Sequence, residues 1–482
     1  MSRNNLPWTI TPGAGAVVAM LILAGGGAVR AESLGKILVP PSGVEKPGDL
    51  GRRAHSNVEV FIPATGLPTG GDAAPIPVAD WLVETPASLA CAYKLVANVA
   101  AYGCNPFKVT ANPTGGSHAI AIVNPYDYAD AHGVSAAAND LTAFDRMFGI
   151  AAANLTVIYG TGTPSEGCKN GAKPSPQPGS GWDLEASLGI EWAHAMAPSA
   201  KIYLVEANSN NLSDLLNAES VAAACVSAAG GGEVSNSWAL SEFSGENAND
   251  STFTEAKVVY FAAAGDFPGN SNLEPFLFTG VAYPAASPNV IGVGGTTFSR
   301  NQVTGSYQSQ ATWNINYSLI SILYGTGGGP SAYEPRPAFQ AGVEKIVGAA
   351  RGTPDLTALA DINTGVWVYN STFSNNLASK GVFYQMGGTG AATPITAGIF
   401  NELGLSYASS SAALAAIYAN TGSVRTKYVT NVSSGLCGPP GYLTSGAFEG
   451  GFGSPYDPSW IQATSGIAWN WCGGWGTLTG TK

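Results

Sequence analysis

Short apolar runs separated by polar and glycine-rich turns recur from residue 85 onward, and most are too short to be helices. His118-Ala119-Ile120-Ala121-Ile122-Val123-Asn124 predicts a buried strand, and Leu155–Tyr159, Lys201–Glu206, Val234–Trp238, Val258–Ala263 and Val290–Gly292 repeat the theme. Helical spacing lies between them: Ala87–Ala100 with a stop at Gly103-Cys104-Asn105-Pro106, Asp140–Phe148, and Asp183–Met196 with a stop at Ala197-Pro198. Strands alternating with helices predict an α/β fold with a parallel β-sheet covered by helices on both faces. Function in such sheets gathers in loops at the carboxyl ends of the strands. Late in the chain, Gly387-Gly388-Thr389-Gly390-Ala391-Ala392-Thr393-Pro394 precedes apolar positions at Ile395, Ala397, Ile399, Phe400 and Leu403. That pattern predicts a tight turn into a buried helix, with Pro tolerated near its start. Serine nucleophiles are often mounted this way, because a helix N-terminus favours developing negative charge.

The pattern is weaker before residue 85. Residues 32–85 are rich in Pro, Gly and Ala, and are expected to form an extended leader packed loosely on the main domain, or a linker. Arg3, the apolar stretch Ala14–Ala24 and Val29-Arg30-Ala31 predict a signal peptide over residues 1–31, cleaved after Ala31. Gly25-Gly26-Gly27 interrupts that stretch short of the ~20 residues a membrane anchor needs. No later run is long enough, so no membrane association is expected after signal removal. Residues 86–482 are left as the main domain.

Composition narrows the class. A net charge of −11 and a charged content of only 11% argue against a nucleic-acid partner, whose phosphates require basic surface. Few Lys and Arg suit a secreted or periplasmic protein in an acidic medium. Six cysteines in an exported chain suggest disulfides. Pairing by proximity gives Cys91–Cys104 and Cys437–Cys472 and leaves Cys168 with Cys225, one of about fifteen connectivities. The four histidines form no zinc-binding pattern.

Several strand ends carry polar signatures: Ser235-Asn236-Ser237-Trp238, Ala263-Ala264-Gly265-Asp266 and Gly294-Gly295-Thr296-Thr297. Turn chemistry accounts for any one of them alone. Their order is more informative. Glu185-Ala186-Ser187-Leu188-Gly189 precedes them. Tyr283-Pro284-Ala285-Ala286-Ser287-Pro288, Pro354-Asp355-Leu356 with Asp361-Ile362-Asn363-Thr364-Gly365, and Gly387-Gly388-Thr389-Gly390 complete the set. In these blocks the sequence resembles the sedolisin, or serine-carboxyl peptidase, family, which shares the subtilisin-like fold.

The resemblance implies specific roles. The family uses a Ser nucleophile, a Glu general base, an Asp four residues on that orients the Glu, and an Asp at the oxyanion site. Glu185 matches the base and Asp266 the oxyanion residue; Gly189 and Gly390 stand where the orienting Asp and the nucleophile are expected. Glycine cannot attack a carbonyl. Loss of one triad member leaves about 10³–10⁴-fold acceleration over water. Thr389, Thr393, Asp183 and Glu191 are poor substitutes, because their positions turn them to other faces. Glycine at 189 and 390 is expected to open space in the cleft. Ser235, Asn236, Ser237, Trp238, Gly265, Gly388 and Thr389 are the candidate substrate-binding residues.

The family also implies calcium near the C-terminus, bound by an Asp, its neighbour's carbonyl and a Gly-x-Gly-x-Asp run. Here the corresponding positions are Asn431, Val432, Gly451, Gly453 and Asp457, with Asn for the first Asp and a longer loop, so Ca2+ is a candidate cofactor at a degraded site. Members also carry a large prodomain, whereas here only residues 32–85 separate the signal from the matching region. Three readings follow. The first is a secreted pseudopeptidase whose cleft holds a peptide or protein ligand; the others are an active acid endopeptidase with a non-standard nucleophile and a structural exported protein without a ligand.

Overall fold

The structure, a computed structural model, describes residues 35–63, 83–130, 132–267, 280–316, 323–373, 381–419, 424–435, 437 and 467–481, with two short strands between 272 and 277. The expected signal peptide lies outside the described residues.

The first strands are β1 (Gly35–Leu38), β2 (His55–Ser56) and β3 (Glu59–Pro63), followed by helix α1 (Pro86–Ala92). Then come β4 (Ala119–Pro125), α2 (Ala137–Phe148), β5 (Asn154–Tyr159), α3 (Trp182–Met196), β6 (Lys201–Ala207) and α4 (Leu212–Ala228). The chain continues through β7 (Gly232–Asn236), β8 (Trp238–Ser241), β9 (Val258–Ala263), β10 (Ile291–Arg300), β11 (Tyr307–Thr312) and β12 (Leu356–Leu359). It closes with β13 (Val366–Asn370), β14 (Val382–Gly387), α5 (Thr389–Glu402) and α6 (Ser410–Tyr418).

The main sheet runs β11-β10-β9-β7-β4-β6-β5, with β12 also on β10, and only β11 is antiparallel to its neighbour. Alternation along β4 shows how it is covered. Ile120 and Ile122 join the core under α3 and α5. Ala119, Ala121 and Val123 join the core under α4. The expected doubly covered parallel sheet is therefore the observed one.

Local differences have local causes. Helix α1 ends at Ala92 rather than Ala100, because Lys94 takes a left-handed φ of 58° and a disulfide ties Cys91 to Cys104. Strand β10 runs on through Gly294-Gly295 to Arg300 instead of stopping at Gly292. Those glycines mark close packing rather than a turn: an added Cβ at Gly295 would lie 2.8 Å from the Trp313 ring. The other disulfides are Cys168–Cys225 and Cys437–Cys472, so the proximity pairing holds.

The loosely packed leader needs correcting. Strand β3 pairs with both β1 and β14, in a sheet ordered β1-β3-β14-β13, and β2 pairs with β8. Val58, Val60 and Phe61 are buried in the main core. Residues 35–63 are thus woven into the domain, at the strand that leads directly into Gly387-Gly388-Thr389-Gly390.

Candidate functional site

Gly388 caps α5 with a φ of 102°, a left-handed conformation that glycine adopts without strain. The turn sets Thr389 and Gly390 in the first turn of α5, against Asp266 beyond the end of β9. Both the Thr389 amide and its hydroxyl donate to Asp266 Oδ1, each at 2.7 Å. Gly265, with a φ of 97°, aims Asp266 inward. Glu185 lies on α3 and is 2% exposed. Its side chain reaches the same place, where an added Cβ on Gly390 would lie 2.6 Å from Glu185 Oε1.

What fills this place is Asn57, which connects β2 and β3. Its amide donates to Glu185 Oε2 at 3.1 Å, and its carbonyl accepts from the Gly390 amide at 2.8 Å. Its side chain donates to the Ser237 carbonyl at 2.8 Å, while the Ser237 hydroxyl donates to the Gly390 carbonyl at 2.8 Å. Glu185, Asp266, Ser237, Gly388, Thr389 and Gly390 are therefore gathered about one peptide unit.

Charge is scarce and carboxyl groups are many. Burial pushes the Glu185 carboxyl well above its usual range; the Asn57 amide opposes this and the Asp266 carboxyl adds to it. Asp266 is pushed up to about 6 by burial, against its two bonds from Thr389. Glu59, two residues beyond Asn57, is raised by burial and then by Asp266 and Asp361. Its two carboxyl oxygens have no hydrogen-bond partner among the described residues. These carboxyls are neutral in acid, and a neutral Glu185 is a poor general base.

The expectation of open space at the two glycines is overturned. A Cβ on Gly390 would meet the Asn57 carbonyl oxygen at 2.5 Å, and one on Gly189 would meet Ile122 Cγ2 at 2.6 Å. One volume is filled by backbone and the other by core. The neighbouring groups are engaged elsewhere. Asp183 accepts from the Gly179 and Gly181 amides and the Thr372 hydroxyl. Glu191 accepts from the Tyr369 amide, and Thr393 donates to the Thr389 carbonyl.

Of the other candidates, Ser235 is buried on the face of β7 that α3 and α5 cover, with its hydroxyl unpartnered among the described residues. Asn236 alternates to the opposite face, toward α4, where its side-chain nitrogen and oxygen have no hydrogen-bond partner among the described residues, so it does not reach the cleft. The Trp238 backbone pairs with Ser56, but its ring belongs to the core under α4.

Only part of the expected calcium site lies within the described residues. Gly451, Gly453 and Asp457 lie outside the described residues. Asn431 turns its amide nitrogen to the Ala468 and Trp475 carbonyls, and the Val432 carbonyl accepts from Asn470. This half offers an amide oxygen and a backbone carbonyl but no carboxylate, a weak donor set for calcium on its own.

Sequence reasoning passed over Asn57 and Glu59. The available signal was Val58-Glu59-Val60-Phe61-Ile62, a compact strand-forming run inside an otherwise Pro- and Gly-rich segment.

Comparison with known proteins fits this geometry. A family profile described as the subtilase family matches residues 171–421. Sedolisin of Pseudomonas sp. (strain 101) is 28% identical over 386 residues, covering 77% of this chain and 61% of the relative. Kumamolisin of Bacillus sp. (strain MN-32) is 32% identical over 240 residues, covering 47% and 40%. The chain thus spans less than two thirds of the length of these relatives. Among solved structures, Pseudomonas sedolisin complexed with two molecules of pseudo-iodotyrostatin aligns with a TM-score of 0.58 at 22% identity, covering 83% of this chain and 96% of that one.

Proposed function

The chain belongs to the subtilase family, and from that footing we propose that it is an exported pseudopeptidase of sedolisin type, which holds a peptide in its cleft without cutting it. One observation carries the reading: the Gly390 amide binds a peptide carbonyl at 2.8 Å, yet residue 390 has no atom to attack it. A backbone N–H at a helix N-terminus is the donor an oxyanion site uses, so binding without chemistry is what this turn supports. With Gly at 189, no carboxylate stands one turn along α3 to orient Glu185. Export is supported by the signal-like N-terminus and three disulfides. No helix among the described residues is long and apolar enough to cross a membrane.

A second reading, an acid endopeptidase with a different nucleophile, draws on Ser237. Its hydroxyl donates to the Gly390 carbonyl and lowers the pKa of the buried Glu185 slightly against the larger effect of burial. A fluorophosphonate probe and a casein-cleavage assay between about pH 3 and 6, where carboxylates titrate, separate the two. The first reading expects no labelling and no cleavage. Labelling that disappears in Ser237→Ala would establish the second.

A further inference from the structure

The stretch that crosses the cleft behaves as a ligand would. Before Asn57 it is paired antiparallel on β8, with His55 opposite Ala239 and Ser56 opposite Trp238. After it the strand changes partner and pairs antiparallel on β14, with Glu59 opposite Gly387, Val60 opposite Met386 and Phe61 opposite Gln385. At the crossing, the amide, carbonyl and side chain of Asn57 are held by Glu185, Gly390 and Ser237. This is strand addition, in which main-chain bonds give affinity and side-chain seats give selectivity.

Two seats stand out. Asn57 is 1% exposed and gives its amide to a backbone carbonyl, a bond that an ionised Asp or a Leu at that position cannot make. Glu59 is equally buried and faces Asp266 and Asp361 with no cation among the described residues. It fits as a neutral acid, and a permanently charged residue would be expelled. The glycines of the turn are shaped to this occupant, since a Cβ at either Gly388 or Gly390 would run into the Asn57 carbonyl.

We propose that the cleft is a peptide site filled in cis, selective for an extended strand with asparagine at the turn of α5 and a carboxylic side chain two residues later, and that Ser56–Phe61 of the same chain is its resting occupant. The proposal rests on the reading of the cleft as one that binds without cutting, and names its ligand class. A free peptide of that pattern gains the site only when the resident strand leaves.

Hydrogen exchange on the full chain provides the first test. At about pH 4, the amides of residues 57–61 are expected to exchange as slowly as those of β4 and β6. Fast exchange there with a protected core overturns the proposal. The second test uses Asn57→Pro, which removes the amide held by Glu185 and leaves the cleft wall untouched. A fluorescent peptide with the sequence of residues 52–63 should fail to bind the native chain and should bind the variant. The same peptide with Ala at the positions of Asn57 and Glu59 should bind at least tenfold more weakly. A folded variant that binds neither peptide, or both equally, sinks the proposal; if it does not fold, the exchange result decides alone. Cleavage of the bound peptide would overturn the non-cutting reading while leaving the occupancy intact, so the two failures are distinct.

Discussion

Gly189 lies in the middle of α3, where alanine would ordinarily gain about 1 kcal/mol of helix propensity. The position does not allow that gain, because a Cβ would stand 2.6 Å from Cγ2 of Ile122. Ile is stiff at its β-branch and is fully walled in by the core, so it cannot swing aside. Overpacking costs about 1–3 kcal/mol and outweighs the propensity term. Gly189→Ala is therefore expected to lower the urea midpoint, and a rise would show that Ile122 yields. Gly189→Asp should be worse, since it adds an unpaired buried carboxyl near Glu185. Reinstating a catalytic side chain here thus requires room to be made in β4 first. The residues at 189 and 390 were legible from order and spacing. Their surroundings were not: the atoms in the way belong to Ile122 and Asn57, which no local pattern connects to α3 or α5.

Elements show the same division. Strands β4, β6 and β9 were legible because a fully buried parallel strand is a short apolar run with clear ends. Strand β3 was obscured by composition, since Pro and Gly dominate the stretch around it although five residues suffice to pair on both sides. Helix α4 drew no prediction, although the five alanines and three leucines of Leu212–Ala228 favour a helix. It is apolar on many sides, so its pattern lacks the contrast that marks a half-exposed helix. Glu84, at the entry to α1, makes the most consequential tie between elements. Its carboxyl accepts from Arg300 Nε at 2.7 Å and Nη2 at 2.6 Å, at the end of β10, and from the Ser88 hydroxyl at 2.6 Å. Arg300 also donates to the Cys104 and Gly305 carbonyls, so one guanidinium joins α1, the disulfide loop and β10. Arg300→Met is expected to cost about 3–5 kcal/mol, because it leaves Glu84 buried without its cation and with only the Ser88 hydroxyl as partner among the described residues. Adding Glu84→Gln should restore part of that loss in urea unfolding. No recovery in the double variant would assign the cost to the lost carbonyl contacts.

The whole molecule is built around buried acids. Burial raises Asp140 to about 6, Glu334 to about 7, Glu206 and Glu233 to about 8 and Glu246 to about 9, beside Asp266 at about 6. Glu59, Glu185, Glu191 and Glu219 are raised well above their usual values by the same cause. A carboxyl with its pKa raised on folding binds its proton more tightly in the native state. Its contribution is fully present below the unfolded value near 4 and is lost as pH rises through the folded value. The sign is opposite for His55, which burial lowers to about 4. Below its unfolded value near 6.5, the unfolded chain takes up a proton that the native chain refuses until pH 4, so this one group weakens the fold in acid. Ten carboxyls against one imidazole decide the direction. A net charge of −11 at neutral pH adds self-repulsion on the same side. Unfolding midpoints in urea are therefore expected to be highest near pH 4, the unfolded carboxyl value, and to decline steadily up to about pH 9, the highest of those folded values. A maximum at neutral pH would mean that the buried acids are ionised and paired in ways the native contacts do not provide. Within that decline, the cleft should respond early, because Asp266 at about 6 is among the lowest of the raised groups and faces both Glu59 and Glu185. Once it ionises, a charge stands beside the carboxyl of the resident strand with no cation among the described residues to offset it. Exchange at residues 57–61 should then accelerate between pH 5 and 7 ahead of β4 and β6, and parallel acceleration of all three would place the loss in the whole fold instead.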